Sequence, residues 1–571
     1  MRDLDKPAVV ARRGVFAKPT LSGSWVALLF WWQALTPTLI PRSWQIQVFI
    51  GAVCLAIGYG IGGLIGRGIQ RLLERSGRVT GDAVRRGPWI VLTAAWLVAL
   101  LFGATRWLAW QNEQREFMGM EPVVWPDGVL MSALSLLCGA LLVILGRVIS
   151  KLVAAATQPI HRRVPATVSV PATALLLVAL GFVLSRSVVL RALTSVANAI
   201  YAPVNERTTE GILAPESPSV SGSSASLIPW ATLGRMGRDF VSTATTRQEL
   251  ALFHGGDASL ADPVRVYVGL GSADTAAERA QLAVRELERA GGFERKVLVV
   301  WVPTGTGWIV PKAAVALEQL HRGDTAIVAV QYSFLPSLLA VFMDAGLANE
   351  AGIALFTAVR EHWSRLPPGR RPKLVLFGKS LGTAGVEAPF VRTDASSSVS
   401  NLVTQTDGAL LAGPKQSNVI RSQLTRERDP SSPIWQPVFE GGRCVRFLNR
   451  YQDRPASNVA WPGPRIAYLQ HPGDPTSFWN IEVLWWPPEW MRPPRGPDVP
   501  NDIRWFPLVS AVQAVGDFIG QLGPPPGFGH DYSTEYVKGW ASVVPPDGWK
   551  DADTERLEHF IAYMPGDDSE Q

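Results

Sequence analysis

A serine framed by glycines, Gly378-Lys379-Ser380-Leu381-Gly382, ends an apolar run over 373–377. The pattern is G-x-S-x-G, in which a tight strand-to-helix turn lifts the serine hydroxyl clear of the backbone. Gly378 and Gly382 suit such a turn, where the chain passes too close to itself for a Cβ. A serine hydroxyl is a weak nucleophile on its own, so it needs a histidine base, and the base needs a carboxylate to orient it. In elbow enzymes the chain order is serine, acid, histidine. Three histidines follow Ser380: His471, His530 and His559. His559 lies in a charged C-terminal stretch and reads as a surface residue. His530, in PPPGFGHDYSTEY, sits in a Gly-rich loop before a short helix and is the expected base. Asp474, in RIAYLQHPGDP just after an apolar strand, is the expected acid. Asp407 is the alternative acid and His471 the alternative base. His471 and Asp474 are too close in sequence to serve together, so one of them would play a supporting part.

Acyl chemistry also needs two convergent backbone N–H groups for the developing oxyanion. Leu381, the residue after the nucleophile, is expected to supply one. The loop Thr304-Gly305-Thr306-Gly307, which follows the apolar run VLVVWVP, is expected to supply the other. Lys379 could meet an anionic headgroup or simply pack beside the elbow. Between Asp474 and His530 runs SFWNIEVLWWPPEWMRPPRG, whose Trp479, Trp485, Trp486 and Trp490 suit a lid, a membrane-interface anchor or ordinary packing.

The elements that must position these groups follow from periodicity. Near-continuous Val, Ile and Leu runs at 264–268, 296–302, 325–331, 373–377 and 465–469, with a further strand ending near Leu411, alternate with helical stretches at 275–290, 311–320 and 349–366. Asp274 is the expected cap of the first of these helices. Apolar strands between helices predict a mostly parallel sheet covered on both faces, with sites at the strand ends where helices begin. Before this α/β region, a Pro/Ser/Gly-rich stretch, 201–230, reads as a flexible linker. The expected organisation is 1–200 helical and membrane-spanning, 201–230 linker, 231–571 catalytic.

Of the 571 residues, 47% are hydrophobic and 18% charged. The apolar excess lies early, in five expected spans at 21–40, 46–66, 88–110, 128–146 and 164–185, each near the ~20 residues a helix needs to cross a bilayer. The first, holding Gln33 and Pro37, could instead be interfacial or re-entrant. Basic residues number fifteen in the N-terminal tail and two alternate loops, against three in the intervening loops. The positive-inside rule therefore places the N-terminus in the cytoplasm and the C-terminal region outside. The basic segments carry +11 of a chain total of +6, leaving −5 elsewhere, so nucleic-acid binding is unsupported. Gly58, Gly62 and Gly66 form a small-residue face suited to packing within the bundle or to self-association. The absence of Asp, Glu and Lys from span centres argues against a proton-coupled transporter. Cys54, Cys138 and Cys444 suggest neither a disulfide framework nor a thiolate metal site, and no motif calls for a cofactor.

At LTPTLIPRSWQIQ, LGRMGRDFV, GKSLG, QHPGDP and GFGHDY the chain resembles a bacterial family of membrane-anchored α/β-hydrolases, common in actinobacteria, in which a multi-span domain precedes an α/β-hydrolase domain. The resemblance covers most of the chain and implies a serine-hydrolase fold and site in the bacterial inner membrane, but fixes no substrate. Two departures stand out: Lys379 is an uncommon residue before the nucleophile, and no evident strand precedes His530. The expected activity is that of an outward-facing esterase, lipase or acyltransferase on an ester-containing lipid or envelope substrate. The alternative is a membrane scaffold or envelope-assembly factor whose hydrolase-like domain binds without turnover.

Overall fold

A computed structural model describes residues 18–75, 86–161, 190–256, 259–336, 339–340, 345–451 and 459–563. The chain forms two compact units. The first joins Met1–Ser185 with two later pieces, Ile481–Pro487 and Pro500–Gly520; the second comprises Arg186–Asn480, Pro488–Val499 and Gln521–Gln571. A division at residues 200 and 231 therefore misses a return of the chain to the first unit late in the sequence.

The N-terminal part of the first unit carries α1 (Leu21–Ala34), α2 (Trp44–Arg75), α3 (Arg86–Phe117) and α4 (Trp125–His161). Three of them, α2, α3 and α4, are long and apolar enough to cross a membrane and contain the second, third and fourth expected spans. The first expected span is corrected: α1 has 14 residues, about 21 Å at 1.5 Å per residue, short of a ~30 Å hydrocarbon core. Pro37 and Pro41 lack the amide hydrogens a continuing helix needs. The fifth, 164–185, lies outside the described residues.

After α1 the chain runs non-helically through 35–43 while remaining buried, with Thr36, Thr38, Leu39, Ile40 and Arg42 all inside. Irregular backbone in an apolar setting must find partners within the protein. Side chains supply them. The Ala34 carbonyl accepts from Gln47 Nε2 at 3.0 Å, the Thr38 carbonyl from Gln114 Nε2 at 2.8 Å, and the Thr36 carbonyl from the Arg42 guanidinium. Gln111 Oε1 takes the Arg42 amide at 2.5 Å. The Gly58, Gly62 and Gly66 face packs within the bundle, against α1. A Cβ at Gly62 would lie 2.4 Å from the Ser22 carbonyl oxygen, and one at Gly58 2.7 Å from that of Val26.

The second unit is built on a seven-stranded, wholly parallel sheet of order β1-β3-β2-β4-β5-β7-β6. Its strands are β1 (Val264–Val268), β2 (Val297–Val302), β3 (Thr325–Val330), β4 (Lys373–Lys379), β5 (Gly408–Ala412), β6 (Val445–Leu448) and β7 (Arg465–Leu469). Every residue of β1, β2, β3 and β5 is buried, as their unbroken apolar runs require. β6 escaped the sequence reading because it lies at the edge and alternates buried with partly exposed residues, Arg446 among them.

Two further corrections follow. The stretch 201–230 is not a flexible linker. Val220 bridges to Arg265 of β1, with the Ser221 amide donating to the Arg265 carbonyl at 3.0 Å, and Ser226 Oγ and the Leu227 amide donate to buried Glu286 at 2.6 and 2.9 Å. Its anchors are partners far away in sequence, so composition alone misleads. The helix Ala276–Arg289 is capped by Thr275 rather than Asp274, through a reciprocal capping box with Glu278.

Candidate active site

The elbow forms where β4 ends. Ser380 has φ 54° and ψ −120°, a strained conformation for a residue with a Cβ, and leads directly into the helix Leu381–Glu387. The flanking glycines are required by space. A Cβ at Gly382 would lie 2.1 Å from the Val302 carbonyl oxygen, and one at Gly378 would lie 2.7 Å from the Gly382 carbonyl. The Ser380 amide donates to the Ala412 carbonyl at 2.9 Å, tying the elbow to the end of β5. Beneath it, Thr383 Oγ1 donates to the Ser380 carbonyl at 2.5 Å and accepts from Asn418 Nδ2 at 2.8 Å.

The acid and the base meet at the ends of the next strands. His530 Nδ1 lies 2.9 Å from Asp474 Oδ2, and both side chains are buried. Asp474 also accepts from the Thr476 amide at 2.8 Å, Ser477 Oγ at 3.0 Å and the Tyr532 hydroxyl at 2.7 Å. Burial pushes its carboxyl up, but His530, the Tyr532 hydroxyl and His471 outweigh burial and hold it below the usual carboxylate range. Burial and Asp474 together drive the Tyr532 phenol well up, so Tyr532 remains a donor. With Nδ1 directed at Asp474, His530 Nε2 has no hydrogen-bond partner.

The position of the imidazole follows from the sheet. β4, β5 and β7 are consecutive neighbours, with Lys379 level with Ala412 and Ala412 level with Leu469. At ~4.8 Å per strand, the ends of β4 and β7 are roughly 10 Å apart. The ring fills the middle. A Cβ at Gly413, the residue after β5, would lie 2.5 Å from His530 Cε1. Ser380 is bonded to Ala412, and His530 lies on Gly413.

The alternatives separate on geometry. Asp407 precedes β5 and accepts the Leu374 amide at 2.7 Å, at the opposite end of the strands from Ser380. His471 bonds the Gly529 carbonyl through Nδ1 at 2.9 Å, brings Nε2 within 3.3 Å of Glu535, and stacks on Tyr532 with ring centroids 4.1 Å apart. Burial alone would lower its pKa, but Glu535 and the Gly529 carbonyl raise it. It thus braces the loop that carries His530. His559 is exposed on the helix Asp551–Ala562.

The loop after β2 adjoins the elbow, as the Gly382 contacts with Val302 and Pro303 show. It is held by Tyr267, whose hydroxyl donates to the Gly307 carbonyl at 2.7 Å, and by Gln331, which donates to the Thr306 carbonyl at 3.2 Å. The Thr304 amide donates to the Trp308 carbonyl and the Gly307 amide to the Thr304 carbonyl. Of the four expected loop residues, Thr304 and Gly307 thus spend their N–H groups within the loop. The Leu381 amide opens a helix, where no intrahelical acceptor exists. Lys379 is buried, its ammonium 5.0 Å above the Trp308 ring, so it packs beside the loop. Among the described residues no group of three or more His, Cys, Asp or Glu could hold a metal ion.

Sequence reasoning missed Tyr532, Ser477, Thr383, Asn418 and Glu535. DYS two residues after His530 carried no spacing signal for Tyr532, although a buried tyrosine so near a candidate base marks a possible partner.

A serine at a strand–elbow–helix turn of a wholly parallel sheet points to one fold class, and the family comparison agrees. Residues 264–557 match the model of an alpha/beta-hydrolase family, and residues 35–244 match the model of that family's N-terminus. The chain belongs to this alpha/beta-hydrolase family. No curated protein and no solved structure matched it.

Proposed function

We propose that this protein is a membrane-anchored serine hydrolase that acts through an acyl-enzyme on an ester-containing lipid or cell-envelope substrate. The observation that carries this reading is the Ser380 elbow beside a His530–Asp474 pair whose Nε2 is unpaired. Ser380 Oγ attacks the acyl carbonyl as His530 Nε2 takes its proton. Asp474 holds the imidazole in the tautomer with Nδ1–H and stabilises the imidazolium. The oxyanion is met by the Leu381 amide and by the Gly305 amide of the loop after β2. His530 then returns the proton to the leaving alkoxide. Water, or an alcohol in acyl transfer, resolves the acyl-enzyme by the same steps in reverse. Three helices able to cross a membrane support a substrate held in or beside the bilayer. The expected setting is the inner membrane, with the catalytic unit outside the cytoplasm.

Rapid mixing of the purified protein with a p-nitrophenyl ester is expected to give a burst of nitrophenol followed by slower turnover. Ser380→Ala should lose the burst and lower the steady rate by about 10⁴-fold or more. Equal rates for both proteins would remove Ser380 from the reaction and favour a binding role.

A further inference from the structure

Between Asp474 and His530 the chain joins the membrane unit, and the helix it contributes there, Val509–Gly520, is amphipathic in the inverse sense. Its polar side chains face inward. Gln513 Nε2 donates to Thr36 Oγ1 at 3.1 Å and to the Thr36 carbonyl at 3.2 Å. Asp517 accepts from Thr38 Oγ1 at 2.5 Å and from the Leu39 amide at 3.2 Å. Gly516 and Gly520 lie directly against Ile50 and Ile46 of α2. The opposite face presents Val515 and Ile519, and the neighbouring piece exposes Ile481, with Trp485 at 61% and Trp486 at 71% exposed. A helix with polar residues inside and apolar residues outside suits lipid rather than water.

The level of this surface along the bundle is fixed by its partners. Asp502 accepts from Trp110 Nε1 at 2.8 Å, near the end of α3. Trp44 opens α2 and Trp125 opens α4. Gln111 and Gln114 of α3 bond to residues 42 and 38 just before α2, and Asn112 bonds Val123 just before α4, so these ends lie together. Tryptophans gathered at one end of spanning helices mark the headgroup level. The exposed apolar surface continues on the helices themselves, through Phe49 of α2 and Leu97, Leu101 and Phe102 of α3.

We infer that Ile481, Trp485, Trp486, Val515 and Ile519 form a lipid-contacting surface, seated at the boundary between headgroups and acyl chains. Along the chain, Asp474 precedes Ile481 by seven residues and His530 follows Gly520 by ten. The lipid-contacting surface is thus carried by the stretch of chain that joins the site's acid to its base, which suits an ester borne by the same bilayer. This last step rests on the proposed function; the lipid contact itself does not.

The two are separable by experiment. In a Cys54→Ser, Cys138→Ser, Cys444→Ser background, an environment-sensitive fluorophore is placed at Trp486→Cys, at Ile519→Cys, or at Leu252→Cys, which is exposed in the second unit. The full-length protein is reconstituted in phosphatidylcholine–phosphatidylglycerol vesicles. Labels at 486 and 519 should be quenched by lipids spin-labelled near the headgroup and shielded from iodide, while the label at 252 should behave oppositely. Iodide access at 486 and 519 without lipid quenching overturns the inference. So does shielding from both quenchers, which would indicate a protein partner. In a second arm, Trp485→Ser/Trp486→Ser removes two apolar side chains from the lipid and should lower hydrolysis of a vesicle-borne ester at least about tenfold, and leave a dispersed short-chain ester unaffected. Lipid quenching with no ester hydrolysis in any format would retain the membrane surface and reject the proposed activity.

Discussion

At the scale of single residues, the site depends on charges and donors held in place by burial. Asp474→Asn replaces the acceptor that orients His530 with an amide able to donate to Nδ1, and is expected to lower kcat/KM by about 10⁴-fold while leaving the fold intact, as circular dichroism would report. Tyr532→Phe removes one hydrogen bond to the carboxylate and should cost about tenfold in kcat/KM with little change in KM. Glu387, at the end of the elbow helix, is buried and accepts from Asn418, the Ile420 and Arg421 amides and Tyr468, and burial raises its pKa from 4.5 to about 7. A carboxyl whose folded pKa lies above its unfolded value favours folding in its protonated form. That contribution is complete below the unfolded value and is lost as pH rises through the folded one. Thermal stability should therefore decline between pH 4.5 and about 7, and Glu387→Gln should flatten this part of the curve in scanning calorimetry. An unchanged slope would assign the decline to another group, such as Asp498, which burial raises to about 6.

At the scale of elements, the sheet does the positioning, and a glycine sets the space for the base. Gly413→Ala would put a methyl where the His530 ring lies. It is expected to lower kcat/KM at least a hundredfold, a displacement effect well beyond the ~1 kcal/mol strain of its backbone conformation. Retained activity would mean that the ring does not work from that position. Legibility in the sequence divides along the same line. The elbow was readable because G-x-S-x-G follows an unbroken apolar strand, and the pairing of Asp474 with His530 because few histidines remain downstream. Features that depend on distant partners were hidden. The packing of 201–230 rests on Arg265 and Glu286, and the donors to Asp474 include Tyr532, 58 residues away. β6 was hidden by its edge position. The break after α1 was half-visible in Pro37, but its buried loop is stabilised by glutamines on α2 and α3 that no local pattern announces.

At the scale of the whole molecule, the chain leaves the second unit after Asn480, gives Ile481–Pro487 and Pro500–Gly520 to the first unit with Pro488–Val499 of the second between them, and is back in the second before His530. The helix Val509–Gly520 has 12 residues, too short to be read as a span, so its place in the membrane unit depends on polar contacts to residues 36–39. The charge asymmetry of the loops predicts that the catalytic unit faces outward. In intact spheroplasts a membrane-impermeant maleimide should label Leu252→Cys without permeabilisation, and labelling only after lysis would reverse the topology. The proposed chemistry stands on Ser380 as a nucleophile activated by His530. Its most direct measurement is mass spectrometry of the purified protein after reaction with a fluorophosphonate. A single phosphonyl adduct is expected on the peptide containing Ser380, absent from Ser380→Ala and strongly slowed in Asp474→Asn. An unmodified Ser380, or an equal adduct on the Ser380→Ala protein, would contradict it.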